Sequence, residues 1–223
     1  MRFPAARMFS AEINSISKFE EEKYTDRTAQ IAISPLGRKA GRIFHVGTIV
    51  EVREVGENVI LARVVDKYGA YTVISNAVYQ PQIYATLKDI NIPAFVAVVG
   101  KIRKKDGFSK PFVRPEYLTI VGKEEAQLWE KETTAITEKL IKETEKNLEN
   151  NTTSYSKEDV EKLLNVYKGK EKKDSEDQKK PEEDDIQIPD EYTSEGEEFE
   201  NPDPKDYTFE IDTEIIGLKD FKD

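Results

Sequence analysis

The stretch Arg42-Ile-Phe-His-Val-Gly-Thr-Ile-Val-Glu-Val-Arg-Glu-Val55 decides the fold. Phe44, Val46, Thr48, Val50 and Val52 recur at period two, which predicts one long strand with those residues on one face. A strand of this length serves more than one neighbour, and Gly47 inside it relieves crowding where it bends. Gly56-Glu57-Asn58 turns the chain. Val59 to Asp66 is β-branched and apolar, Tyr68-Gly69 breaks it, and Ala70 to Ser75 alternates again, so the two runs read as a hairpin. Tyr79 to Asn91 places Ile83, Leu87 and Ile90 at helical spacing behind Pro81. Pro93 then precedes an apolar strand, Ala94 to Ile102. Lys104 to Pro111 is a loop, and Phe112 to Val121 is the last strand.

The predicted order over residues 42–122 is β-β-β-α-β-β. Five strands with a helix between the third and fourth is the order of the OB-fold, a small Greek-key barrel. An SH3-like barrel is the alternative, and the helix argues against it. The fold class expected is therefore mainly β: a five-stranded OB-fold barrel, followed by a long C-terminal α-helix and a disordered acidic tail.

Outward from the barrel the signals thin. Residues 1–41 read as an N-terminal arm, with a short strand between Arg7 and Ile16, a solvated loop over 18–28 and a turn at Ser34-Pro35-Leu36-Gly37. Residues 123–149 read as one helix whose stripe is Ala126, Trp129, Thr133, Ile136 and Leu140. That helix is too polar for a core, so its stripe must lie on the barrel or on a partner; we expect an assembly helix. Residues 150–223 open with a linker, Asn150-Asn-Thr-Thr153. Ser156 to Asp159 then starts a short helix with Val160, Leu163, Leu164 and Tyr167 on one face. Residues 174–223 hold 20 Asp and Glu against five Lys, a composition that cannot offset chain entropy, although Tyr207 to Phe221 regains some apolar residues.

The chain has 223 residues, 37% hydrophobic and 35% charged, with a mean hydropathy of -0.67. Cysteine is absent and His45 is the single histidine, which removes thiolate zinc sites, Cys nucleophiles and multi-His metal sites. No apolar run is long enough to span a bilayer, and Met1-Arg2-Phe3-Pro4 lacks the apolar segment of a secretion signal. A cytoplasmic protein without membrane contact is expected. The net charge of -10 conceals a division: residues 1–122 carry 18 Lys and Arg against 12 Asp and Glu, whereas 123–223 carry 16 against 32. A basic front half joined to an acidic back half points to nucleic acid for one and protein partners for the other.

There is no phosphate-binding Gly-rich motif, no HExxH and no GxSxG, and carboxylates in a disordered run cannot be held for catalysis. We therefore expect a non-enzyme with no cofactor and no metal. OB barrels bind single strands across the strand 2–3 surface, between the 1–2 and 4–5 loops. Arg63, Lys67 and Tyr71 fall on strands 2 and 3 and their turn. Lys101, Arg103, Lys104, Lys105, Phe108, Lys110, Phe112 and Arg114 cluster in and around the 4–5 loop, and Arg38, Lys39 and Arg42 lead into strand 1. Cations neutralise phosphates while aromatic rings stack on unpaired bases. These contacts do not name the sugar, which leaves RNA open.

Further motifs carry a family likeness: Arg2-Phe-Pro-Ala-Ala-Arg7, Gly37-Arg-Lys-Ala-Gly-Arg42 leading into Val46-Gly-Thr48, Val98-Val-Gly-Lys-Ile102, and Arg114-Pro-Glu116. The sequence resembles archaeal replication protein A middle (OB-fold) subunits and replication-protein-A-associated proteins over about residues 1–122, with Trp129 and its helix as a looser match. The resemblance implies single-stranded DNA binding within a hetero-oligomeric complex in replication and repair, with residues 123–149 packing on helices of sister subunits. A winged-helix domain often ends such subunits. Here the acidic tail stands in its place, as an element for recruiting replication or repair proteins or for competing with DNA. The alternative is an assembly adapter whose barrel docks sister subunits and binds little DNA itself.

Overall fold

The computed structural model describes residues 4–23, 28–104, 108–150 and 152–169. In chain order the elements are β1 (Ala6–Arg7), α1 (Ser10–Asn14), β2 (Lys18–Lys23), β3 (Thr28–Ile33), β4 (Lys39–Ala40), β5 (Ile43–Val55), β6 (Val59–Asp66) and β7 (Gly69–Asn76). Then come α2 (Pro81–Asp89), β8 (Ala94–Arg103), β9 (Phe112–Ile120), α3 (Lys123–Glu149) and α4 (Lys157–Tyr167). The residues of the acidic tail, 174–223, and the motif residues Arg2 and Phe3 lie outside the described residues.

Strands β5 to β9 close on themselves in the order β5-β6-β7-β9-β8, with β8 returning to β5. This is the expected five-stranded barrel, with α2 between its third and fourth strands. Strand β5 pairs with β8 through Ile43–Ile49 and with β6 from Thr48 onward, so one strand serves both sides. Gly47 sits at the crossing: a Cβ there would lie 2.7 Å from His45 Nε2 and from the Val65 carbonyl oxygen. A register shift between Ile49 and Glu51 inverts the phase of the strand. The period-two face read from the sequence is thereby split. Phe44 and Val46 pack outside against Trp129, whereas Val52 packs inward with Ile43 and Ile49.

The barrel core is Ile43, Ile49, Ile60, Val64, Val73, Val96, Val98, Val113 and their neighbours. One end is closed by α2 through Ile83 and Leu87, the other by the N-terminal arm through Met8, Ile13 and Ile16. The arm differs from the sequence reading. Residues 10–14 form a helical turn where a short strand was expected, too brief for its periodicity to be distinguished from alternation. Lys18–Lys23 form a strand paired with β3 where a loop was expected. Its charged sequence, Lys-Phe-Glu-Glu-Glu-Lys, is what sheet edges use against unwanted pairing, and it reads like a solvated loop.

Helix α3 follows the barrel, as the sequence reading has it. Most of its stripe, though not Ile136, is covered within this chain: Trp129 packs on Phe9, Phe44 and Val46, and Leu140, Ile141 and Leu148 join the cluster around Val160, Leu163 and Leu164 of α4. The same cluster takes Ile31 and Ile33 from β3, whose intervening Ala32 faces the barrel core. Tyr155 locks this corner. Its hydroxyl donates to the Ile33 carbonyl (2.7 Å) and accepts from the Ser17 and Lys18 amides (2.9 and 3.0 Å). Ser156 caps α4 by accepting from the Asp159 amide (3.2 Å).

Candidate nucleic-acid interface

Cross-strand partners in a sheet share a face, so register alone assigns the outer surface of β5–β6–β7. Arg53 stands opposite Leu61, itself opposite Ile74; Glu51 stands opposite Arg63, itself opposite Thr72. Val59, Leu61, Ile74 and Phe112 form a buried apolar cluster of their own, separate from the barrel core, with Val55 and Phe108 packed against it. The Phe108 and Phe112 ring centroids are 5.3 Å apart. Phe108, before β9, and Phe112, its first residue, thus lie against the strand 2–3 face that also bears Arg53, Arg63 and Thr72; Phe112 is buried there and Phe108 half-buried. Arg53 contacts Glu51 at 3.1 Å. Arg63 and Lys104 form no ion pair among the described residues, and Lys104 and Lys110 are exposed at the rim. Lys105 lies outside the described residues.

A second group occupies the outer face of β5–β8–β9. Lys101 stands opposite Arg114, and Arg42 precedes Ile43, which stands opposite Gly100. Glu116, at a register shift, is shared: its Oε1 lies 3.2 Å from both Arg42 Nη2 and Lys101 Nζ, and Arg42 Nε donates to Oε2. Burial lowers the Lys101 ammonium from its ordinary value, and Arg103 and Arg42 add to this against the pull of Glu116. Burial would raise the Glu116 carboxyl, but Arg42 and Lys101 hold it below its usual range. Arg103 also donates to Gln30 of β3 at 3.3 Å.

Other residues expected at the interface have different surroundings. Tyr71 is 3% exposed, in the barrel core, with its ring edge-on to His45, so it presents no face to a base. Arg38 grips the fully buried Glu12 and reaches the Arg7 carbonyl at 2.5 Å. Lys39 pairs with Glu20 at 2.6 Å. Lys67 bonds Thr134 and Glu130 of α3, away from the 4–5 loop, with its ammonium 5.0 Å from the Phe9 and Tyr68 ring centroids. Of the helix stripe, Trp129 and Thr133 are buried inside this chain, and Ala126 and Leu140 are half-buried there. Ile136, with Leu128, remains on the outside.

Sequence reasoning missed Arg53, because the shift in β5 hides its phase. It also missed the carboxylates that claim Arg38, Lys39 and Arg42, which lie far away in the chain. A buried polar node escaped it too. Asp66 accepts from the Ser10 amide and hydroxyl (2.6 and 2.7 Å) and from the Tyr68 amide (2.7 Å), with His45 Nε2 at 3.8 Å. His45 Nδ1 is 2.9 Å from the Met8 carbonyl oxygen. This node ties the arm to the barrel.

No family model matches the chain, and no curated protein sequence matches it. Solved structures do. The fold is similar to a chain of the S. pombe Stn1–Ten1 complex, at 16% identity and a TM-score of 0.53, over 65% of this chain and 99% of that one. A replication protein A heterotrimer bound to single-stranded DNA aligns at 12% identity and a TM-score of 0.46, over 62% and 98%. Asparaginyl-tRNA synthetase from Pyrococcus horikoshii aligns over 36% of this chain and 19% of that one, at 16% identity and a TM-score of 0.33. At such identities the likeness is one of fold: a barrel of the OB class with a helix behind it.

Proposed function

We propose that this protein is a single-stranded DNA-binding subunit of a replication protein A-like complex acting in DNA replication and repair. One observation carries the reading. The outer face of β5–β6–β7 combines the half-buried Phe108 ring, seated on the buried residues Leu61, Ile74 and Phe112, with Arg53 and Arg63 and the exposed Lys104 and Lys110. Unpaired bases need an apolar platform and their phosphates need cations; Phe108 is the partly open ring for the first, and the arginines and lysines answer the second. The archaeal middle-subunit resemblance and the fold of the Stn1–Ten1 chain support it.

Affinity of the full chain for oligo-dT tests the reading. Arg63→Gln and Lys104→Gln should each weaken binding by a similar factor whatever the base sequence, because phosphate contacts carry no sequence information. Unchanged affinity in both variants would contradict it.

Assembly with sister subunits belongs to the same proposal. Since Trp129 and Thr133 are occupied within the chain, the helix surface offered is the side bearing Leu128 (59% exposed) and Ile136 (42%). Leu128→Lys should abolish co-purification with sister subunits while leaving the barrel folded. The tail, residues 174–223, is proposed to recruit replication or repair proteins. Deleting it should lose such a partner and leave DNA affinity undiminished.

A further inference from the structure

The outer face of β5–β6–β7 carries one carboxylate among its cations. Glu51 stands opposite Arg63, which stands opposite Thr72, so a carboxylate, a guanidinium and a hydroxyl lie in one cross-strand row. The other acids of these three strands are engaged elsewhere. Glu54 accepts from the Tyr84 hydroxyl of α2 at 2.8 Å, and Asp66 is held by Ser10 and Tyr68. A carboxylate beside a phosphate track repels the phosphates. What it binds is a hydrogen-bond donor.

Its geometry leaves it able to do so. Arg53 reaches Glu51 through Oε1, at 3.1 Å, and Oε2 has no partner among the described residues. The carboxylate is thus steadied by one oxygen and presents the other. The Glu51 side chain is 29% exposed, and partial shelter from water strengthens a hydrogen bond made there. Leu61 and Ile74 belong to the cluster against which Phe108 packs, and lie two residues along β6 and β7 from Arg63 and Thr72, ~7 Å away. The ring and the row are therefore neighbours on this face.

We propose that Glu51 reads the base: a base stacked on Phe108 turns its edge to this row, and Glu51 Oε2 accepts a hydrogen bond from an exocyclic amino group. Cytosine N4 and adenine N6 donate, whereas thymine presents its O4 carbonyl and sets a lone pair against the carboxylate. The class of ligand chosen is a single strand with an amino-bearing base at this position, in preference to a thymine tract. The proposal rests on the nucleic-acid reading above and adds a base preference to it. Arg63, the longest side chain of the row, stays a phosphate contact, and Arg53 is a positioning residue.

The test titrates the full chain with oligo-dC and oligo-dT of equal length, at fixed salt and at mildly alkaline pH, where cytosine is neutral. The parent should bind oligo-dC about 10-fold tighter than oligo-dT, the effect of one hydrogen bond to a charged acceptor. Glu51→Gln should bring the two affinities within about 2-fold of each other, because the amide offers either its oxygen or its NH2 to the base. It should also tighten oligo-dT, since a negative charge has left the path of the phosphates. A role confined to steadying Arg53 predicts instead that both oligomers weaken by the same factor. Arg63→Gln should weaken both alike and keep the parent's ratio. If the parent binds the two oligomers equally, or if Glu51→Gln keeps the parent's ratio, base reading by Glu51 is wrong and the groove stands. If neither oligomer binds the parent chain, both fall.

Discussion

Arg38 and Glu12, 26 residues apart, form a two-pronged ion pair in which Glu12 is fully buried and the Arg38 side chain is 14% exposed. Arg38 also donates to the Arg7 carbonyl, so the guanidinium joins α1, the end of β1 and the turn before β4. A cation placed by sequence among phosphate contacts is instead a tie within the N-terminal arm. Removing one partner of a buried pair leaves an uncompensated charge. Arg38→Ala should therefore cost ~3–5 kcal/mol of unfolding free energy, measured by denaturant titration. Replacing both residues, Arg38→Met with Glu12→Leu, should cost distinctly less, since no stranded charge remains. Equal losses in the single and double variants would show that the ion pair is not what holds this corner.

Trp129 is the sole tryptophan and is 3% exposed, at the junction of α3 with Phe9, Phe44 and His45. Trp129→Ala should cost ~3–5 kcal/mol through the cavity it leaves. In the parent chain its fluorescence should shift to the red in a single transition on unfolding. A red-shifted emission in the native chain would mean that α3 does not lie on its own barrel.

His45 is buried, and burial lowers its imidazole from the ordinary 6.5, against the pull of Asp66 and the Met8 carbonyl. Its native pKa thus lies below its unfolded one, so the unfolded chain binds the proton first as pH falls. The stability this neutral ring contributes is complete above the unfolded pKa. It is lost as pH falls below ~6.5 toward the native value, at up to ~1.4 kcal/mol per pH unit. Midpoints of denaturant unfolding at about pH 7.5 and about pH 5.5 should show this loss in the parent and much less of it in His45→Gln. The lowered carboxyls of Glu54 and Glu116 act only further into acid.

Gly100 allows β8 to pass close to β9 at the register shift. A Cβ there would lie 2.5 Å from the Arg114 carbonyl oxygen and 2.8 Å from Val113 Cγ1. Gly100→Ala should therefore destabilise the barrel by ~1–3 kcal/mol or more, because a backbone oxygen cannot step aside as a side chain can. A thermal midpoint equal to the parent's would refute the close approach.

Barrel strands and α2 are legible because their signals are local: period-two alternation, a Pro-started helical spacing, and Gly-bearing turns. The arm is not, because α1 is only five residues long and β2 carries an edge strand's charges. For the site, Phe108, Phe112 and Arg63, singled out by residue type, lie on one face of the barrel. Tyr71 could not be assigned inward from sequence, since an alternating strand does not say which face is the core. The cations at 38, 39 and 42 could not be told apart either. Their partners, Glu12, Glu20 and Glu116, are set by tertiary pairing alone. The helix stripe was visible, but whether it meets the barrel or another chain depends on α4, which supplies most of its remaining cover.

The most direct measurement of the central claim is the affinity of the full chain for a fluorescent oligo-dT across a range of salt concentrations. Contact with several phosphates predicts a linear fall of log affinity with log salt, steeper by ~0.7 for each contact, and much weaker binding to the matching duplex. Affinity that does not change with salt, or no binding at the lowest salt, would contradict a cationic groove for an unpaired strand.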